Sequence, residues 1–471
     1  MYTIIRNGTV VTAEKSFKAD ILIEDEKIVE IAESIKIDDC RVIDAEDMLV
    51  MPGGVDPHVH LDLPMAGTIS SDDHYTGGKA AAFGGTTTLI DFVSQNEVSL
   101  EDSIRLHRQN ADAKTCIDYS SHMNITHFDD KVEQEIAKLP DHGITSIKVF
   151  TAYNNRLRIN DAEIFKAMRI AGAHDLLTMV HAENGDIIDL LINEALQAGN
   201  TTPVWHALTR PGWGAVEASL RAFALGAQAD APVYLVHMNM GGEVDQLAYA
   251  RSKGLYAMGE TCPQYLFFTD EHLQRPDGAK WICSPPMRSK DDNLQLWQGI
   301  ENGTIQVLAT DHCPFFYNGQ QAIEYEGEMI AIPGKELGKN DFTMIPNGLP
   351  GVGDRMPVFW THAVGTGRIS PERFVALTST NAAKIFGLYP KKGCLQPGSD
   401  ADIVIWDPNL EIDYGLKVAR HRTDYNLYEG WKLKGYPIIV MQRGETLVEK
   451  DQWLGKPGQG QFVKRLNGDV L

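Results

Sequence analysis

Met51-Pro-Gly-Gly-Val-Asp-Pro-His-Val-His60 is the stretch that decides how the rest of the chain reads. It is a short apolar strand ending in two histidines one residue apart. Side chains at i and i+2 leave a strand on the same face, so His58 and His60 point the same way and can converge on one metal ion. A His-x-His triplet also arises by chance, and histidine is not always a ligand. The weight of the pair therefore depends on whether other strand ends supply further ligands.

Working outward, the texture from residue 51 is one of apolar runs alternating with helical patterns. The runs are 50–60, 86–92, 117–125, 144–150, 177–181, 233–237, 256–261 and 305–311. Between them, 100–113, 161–173, 186–198, 215–229 and 243–253 carry apolar residues at helical spacing. Continuous apolar strands separated by helices predict a parallel sheet covered on both faces. Eight such units predict an α/β fold, a (β/α)8 TIM-like barrel of roughly 330 residues, which exceeds the usual ~250 and so carries insertions. A doubly wound open sheet is the alternative.

Both ends of the chain read as β structure. Residues 2–50 alternate in a strand-like way around an Asp25-Glu26-Lys27 turn, and β character returns after 387 in 398–406, 438–441 and 445–448. Residues 1–50 are too few for a large core of their own. The expectation is a small β-sandwich domain built from 1–50 and 388–452, flanking a barrel at 51–387. Residues 453–471, rich in Gly, Lys and Gln, form either a loose tail or an oligomer arm onto a neighbouring subunit.

Composition narrows the partners. The 471 residues are 43% hydrophobic and 23% charged, with a formal net charge of −21 spread along the chain. That balance argues against nucleic acid or an anionic membrane as the main partner. No apolar run reaches the ~20 residues of a membrane helix, and no secretory leader is visible at the N-terminus. Six cysteines lie far apart without a C-x-x-C pair, which fits reduced thiols in a cytoplasmic protein.

In a barrel of this kind, functional residues come from the C-terminal ends of several strands. After His58 and His60, the fourth strand carries Lys148, the fifth ends at His181, the sixth at His237 and the eighth at Asp311. Singly, each histidine could be a hydrogen-bonded core or rim residue, Asp311 a helix cap, and Lys148 a solvated or paired cation. Together, imidazoles and a carboxylate at barrel-strand ends predict a site for zinc or a similar divalent ion. The lysine is the odd member, because an ammonium has three donors and no lone pair. It can bind a cation only after conversion by CO2 to a carbamate, whose carboxylate can bridge two metals. Four histidines, one such bridge and one aspartate suit a binuclear centre with metals ~3.5–4 Å apart.

Here the sequence resembles the binuclear amidohydrolase superfamily, and within it the dihydropyrimidinase and hydantoinase family. The strings that carry the resemblance are PGGVDPHVHLD, FGGTTTLIDF, GITSIKVFTAY, VHAENGD, HALTRP, GETCPQYL, CSPPMR, ATDHC, DFTMIPNGLPG, LTSTNAAKIFGLYPKKG and PGSDADIVIWD, covering about residues 50 to 408. The resemblance implies two divalent metals, most simply zinc, held by His58, His60, N6-carboxylated Lys148, His181, His237 and Asp311. It also implies hydrolysis of the cyclic amide bond of a ureide ring to an N-carbamoyl amino acid, by a bridging hydroxide with Asp311 as general base and then acid. Tyr153 matches the oxyanion-stabilising tyrosine, and Ser284 and Asn347 match positions whose backbone groups hold the ureide. A homodimer or homotetramer is implied as well.

Two departures stand out. The segment 313–340 is long and is expected to act as a lid, and RPGWGAVEA after His206 lacks an acidic stretch common in relatives. Dihydroorotases and allantoinases, the alternative activities, carry an Arg shortly after the His-x-His. Here Leu61-Asp62-Leu63-Pro64 follows instead. Leu63, Met65, Phe150 and Leu157 are therefore expected to form an apolar wall favouring neutral 5-substituents over charged ones. A non-catalytic scaffold of the same architecture is disfavoured because all six ligand positions are filled. D or L preference is left open.

Overall fold

The computed structural model describes residues 1–96 and 98–469; positions 470–471 of the expected tail lie outside these. Each of the eight apolar runs contains a strand: Gly54–Val59, Thr86–Val93, Asp118–Asn124, Ser146–Phe150, Leu177–His181, Val233–Leu235, Ala257–Thr261 and Val307–Leu308. Every residue of all eight is buried. They lie side by side in chain order as one parallel sheet. Burial on both faces is why these strands lack the apolar–polar alternation of a half-exposed sheet.

The sheet curls until its first and last strands meet. Val59 bridges His312 in parallel, and the His60 amide donates to the His312 carbonyl at 2.7 Å. Fully buried Arg355 spans the seam, donating to Val55 O at 3.0 Å and Leu308 O at 2.9 Å. Asp56 adds a second tie by accepting from the Thr310 hydroxyl at 2.6 Å. The (β/α)8 barrel is thus nearly closed, and the open-sheet alternative falls. Val55, Ile90, Met179, Tyr234, Met258 and Val307 fill its interior, with Phe386 and Val463 in the same apolar cluster. The interior is packed, leaving only the loops at the strand ends free to build a site.

The outer helices follow the expected periodicity. Asp161–Ala173 begins at a capping box between Asn160 and Glu163 and buries Ile164, Ala167, Met168 and Ala171, the i, i+3, i+4, i+7 stripe of a helix with one covered face.

The two ends of the chain meet in one seven-stranded sheet. In it, Leu49–Pro52 is flanked by Thr9–Val11 on one side and by Ile403–Asp413 and Lys432–Gln442 on the other. A four-stranded sheet formed by Tyr2–Arg6, Asp20–Glu24, Lys27–Ala32 and Arg41–Asp44 shares its core, through Ile5, Ile21, Ile23, Val50, Ile403 and Met441. Buried Lys392 ties this module to the barrel base, reaching Asp118 at 2.5 Å, Asp402 at 2.8 Å and Asp400 at 3.0 Å.

The C-terminal segment is no loose tail. Tyr119 N donates to Gln461 O at 3.0 Å, Val463 N donates to Tyr119 O at 2.7 Å, and buried Arg465 donates to Ser146 Oγ at 2.9 Å. Apolar Phe462 and Val463 hold it there, packing on Tyr119 and under the barrel interior.

The 313–340 segment, expected to act as a lid, contributes Cys313 to the cleft lining. Its hairpin, Ile323–Tyr325 with Glu328–Ile330, is tied to an outer helix and to a later loop. Glu326 pairs with Lys79, and the Tyr325 hydroxyl donates to Arg420 O. Farther along, buried Lys335 donates to Ile282 O at 2.9 Å and Pro346 O at 3.1 Å. The extra length thus becomes a clamp joining two other loops.

Candidate metal centre and substrate cleft

The strand ends open into a cleft of about 240 Å³. Its lining includes His60, Lys148, Tyr153, His181, His237, Ser284, Asp311 and Asn347, so sequence positions up to 287 apart come together as expected. His58 lies directly beneath, fully buried.

Two groups of ligand-type atoms lie near Lys148. In one, Asp311 Oδ1 lies 3.1 Å from His58 Nε2 and 3.2 Å from His60 Nε2, and one ligand atom from each of the three falls within 4.8 Å of the others. In the other, His181 Nδ1 and His237 Nε2 face one another at 3.0 Å. Lys148 Nζ sits 3.0 Å from His58 Nε2 and 4.2 Å over the Phe92 ring.

Electrostatics favour neutral imidazoles. Burial pulls His60 down to about 4, lowers His181, and takes His237 well below the usual histidine range. Their lone pairs are then available to a cation. His58 moves the other way: burial and Lys148 lower it, but Glu260 and Asp311 outweigh them and raise it. Burial works against the Asp311 carboxylate, yet His58, His60 and His237 hold it well below the usual range, so it stays ionised. Burial also brings Lys148 down to about 8, increasing the fraction of free amine, the form that adds CO2.

These groups fit a divalent pair. The facing ring nitrogens, with an ionised carboxylate and a buried lysine nearby, form a donor set suited to divalent metal. As an ammonium the lysine has no lone pair to add to it.

Sequence reasoning missed the groups behind the ligands. Glu260, at the end of the seventh strand, accepts from His58 Nδ1, from the Tyr234 hydroxyl at 2.8 Å and from the His237 amide at 3.2 Å. This fixes the His58 tautomer so that Nε2 offers its lone pair to the cleft. Glu183 does the same for His181, accepting from its Nε2 at 2.8 Å and from Arg210 Nη1 at 2.6 Å. A lone charge in an apolar strand and a carboxylate two residues past a histidine were the available signals.

Three site residues have left-handed backbones: Tyr153 (φ 67°), His237 (φ 39°) and Asp311 (φ 54°). Such conformations cost about 1–3 kcal/mol each in non-glycine residues and persist where the surroundings impose them. They also explain a local difference from expectation. His237 and Asp311 lie two and three residues past the last strand residues Leu235 and Leu308, turned back over the barrel mouth.

Tyr153 packs against the His181 ring at 5.0 Å with Arg210 over its face at 5.5 Å. Burial pushes its phenol up to about 12, partly offset by Arg210, so it remains a proton donor at neutral pH. Ser284 and Asn347 stand together in the cleft lining, where Asn347 Nδ2 donates to Ser284 Oγ at 3.0 Å. The Lys335 clamp holds both loops, since Ile282 and Pro346 lie next to these residues.

Leu63, Met65, Phe150 and Leu157 line the cleft as expected, but Arg156 lines it too. No cation was expected on this wall. Arg156 lies in the loop after Tyr153, far in sequence from the position after His60 where one was sought. Among the described residues it has no acidic partner.

Relatives agree with this architecture. The amidohydrolase family profile matches residues 49–447. A D-hydantoinase of Geobacillus stearothermophilus is 44% identical over 475 residues, covering 100% of this chain and 98% of the relative. A D-hydantoinase of Rhizobium radiobacter is 41% identical over 468 residues, covering 99% of each chain. The crystal structure of dihydropyrimidinase from Brevibacillus agri NCHU1002 superposes with a TM-score of 0.95 at 44% identity, covering 100% of both chains. With a full-length match in sequence and in fold, the chain belongs to the hydantoinase and dihydropyrimidinase family of the amidohydrolases.

Proposed function

We propose that the cleft opens five- or six-membered cyclic ureides, 5-substituted hydantoins or dihydropyrimidines, by hydrolysing the ring amide to an N-carbamoyl amino acid. The observation that carries this reading is the convergence of two histidine pairs, Asp311 and Lys148 on one cleft that is also lined by Tyr153, Ser284 and Asn347.

His58, His60 and Asp311 would hold one divalent ion and His181 and His237 the other, with N6-carboxylated Lys148 between them; zinc suits this donor set. Such a pair, when bound, lowers the pKa of a water and polarises the ring carbonyl. Ionised Asp311 accepts the proton of the attacking water and returns it to the ring nitrogen as the C–N bond breaks, acting as base and then acid. Tyr153, protonated and held between His181 and Arg210, donates to the oxygen that becomes negative on addition. Ser284 and Asn347 orient the ureide through the loops that Lys335 clamps.

The wall of Leu63, Met65, Phe150 and Leu157 favours neutral, apolar 5-substituents. The names of the D-hydantoinase relatives support a preference for the D-enantiomer. Six free cysteines support a reducing, cytoplasmic setting. Exposed Leu190, Trp213 and Leu220, on the helices Gly185–Gln197 and Gly212–Ala229, support self-association as a homodimer or homotetramer.

A panel of dihydrouracil, hydantoin, both enantiomers of a 5-alkyl hydantoin and dihydroorotate, assayed on metal-replete protein with chiral product analysis, tests this reading. Ring opening of the neutral substrates with D-products is expected. Faster turnover of dihydroorotate than of dihydrouracil or the 5-alkyl hydantoins would overturn it.

A further inference from the structure

A second constellation of ligand-type side chains lies behind the first barrel strand, away from the cleft. Asp91 sits near the end of the second strand, Thr86–Val93. His74 is the first residue of the helix His74–Phe83, and His107 belongs to Leu100–Lys114. The three side chains are 3%, 2% and 13% exposed. Asp91 Oδ1 is engaged by the Phe92 amide at 2.7 Å and lies 3.4 Å from the Leu61 amide. Its other oxygen, Oδ2, faces His74 Nε2 at 3.6 Å and His107 Nε2 at 3.8 Å.

None of these three inward atoms has a hydrogen-bond partner. At 3.6 and 3.8 Å the imidazoles are too far from the carboxylate to bond to it directly. Three buried polar atoms left unsatisfied together are costly, and buried carboxylates normally have a paired charge. One ligand atom from each of the three residues lies within 4.8 Å of the others. A tetrahedral zinc with bonds of about 2.0–2.1 Å sets its ligand atoms ~3.3–3.5 Å apart, close to the two spacings to Asp91.

We propose that His74, Asp91 and His107 bind a single zinc-class divalent ion, with water completing its coordination. The site is structural. It joins one barrel strand to two outer helices and, through Asp91 Oδ1 and the Leu61 amide, backs the loop that leaves His60. Two imidazoles and one carboxylate select an imidazole-preferring metal over magnesium or calcium, which take oxygen ligands.

Anomalous diffraction at the zinc absorption edge, from crystals of the intact zinc-loaded protein, tests this directly. An anomalous peak among His74 Nε2, Asp91 Oδ2 and His107 Nε2 is expected. A water molecule there with no anomalous signal overturns the proposal. Elemental analysis of His74→Gln and His107→Gln adds an independent arm: each should bind one zinc fewer per chain than the parent and keep the anomalous signal at His58, His60 and Asp311. Unchanged zinc content in both variants also overturns it. Because the readout is metal at a defined position and not turnover, neither result bears on the proposed ring-opening reaction.

Discussion

Replacing Glu260 by glutamine should weaken the catalytic metal without dismantling the fold. The carboxylate accepts from His58 Nδ1 and the His237 amide through Oε1 and from Tyr234 through Oε2. A glutamine of the same shape can keep its carbonyl toward His58 and His237 and donate its amide to the Tyr234 oxygen, which leaves the Tyr234 hydroxyl proton to find a new acceptor. What is lost is the charge. Hydrogen bonds to charged groups are worth ~1.5–3 kcal/mol and neutral ones ~0.5–1.5, so His58 and His237 together lose on the order of 1–3 kcal/mol of support. That corresponds to a metal affinity about 10–100-fold weaker, the usual scale for removing a partner that orients a ligand. The assay is turnover of a 5-alkyl hydantoin by metal-stripped protein as buffered zinc is raised. The zinc needed for half-maximal rate should rise by that factor while the plateau largely recovers. A variant whose zinc requirement stays within ~2-fold of the parent would refute the orienting role.

Three further substitutions test the geometry. Tyr153→Phe removes the only donor assigned to the developing oxyanion, so kcat should fall about 10²–10³-fold with metal content unchanged, read by steady-state kinetics beside elemental analysis. Lys335→Met should leave the metal in place but raise KM for the ureide by about 10-fold or more, because two loop carbonyls lose a hydrogen-bonded clamp. Burial also holds Lys335 down at about 7, below its unfolded value of ~10.4. Between these values the unfolded chain binds more protons, so stability should rise with pH from about 7 by up to ~1.4 kcal/mol per unit. Urea titrations at several pH values should show that increment in the parent and its absence in Lys335→Met. Arg156, without an acidic partner among the described residues, should assist hydantoins with an acidic 5-side chain by ~0.2–1 kcal/mol. Arg156→Leu should therefore lower kcat/KM for these, relative to a neutral isostere, by a few-fold.

What could be read in the sequence and what could not divides along the range of the interactions. Most of the eight barrel strands were legible because strands buried on both faces tend to be apolar without alternation, although Asp118–Asn124 is buried throughout while carrying several polar side chains. Lys148 and His181 fall on the last turns of such runs, so their place in the cleft followed from the strands. His237 and Asp311 reach it only through left-handed residues past shorter strands, which period and composition do not signal. Glu260 was passed over because its meaning lies in His58, 202 residues away. What fixes the 313–340 segment was hidden for a related reason. Length without periodicity suggests a mobile loop, whereas its fixed position comes from one buried lysine and two distant carbonyls. Arg156 escaped notice because a cation was sought only beside His60, while the wall it joins is assembled from several loops.

The central claim is that Lys148, once carboxylated, joins two metals into one hydrolytic centre. Its most direct test is elemental analysis and hydantoin turnover measured side by side on the parent and on Lys148→Ala. The account predicts that the variant loses bound metal and activity together. Normal metal content with normal turnover in Lys148→Ala would contradict it.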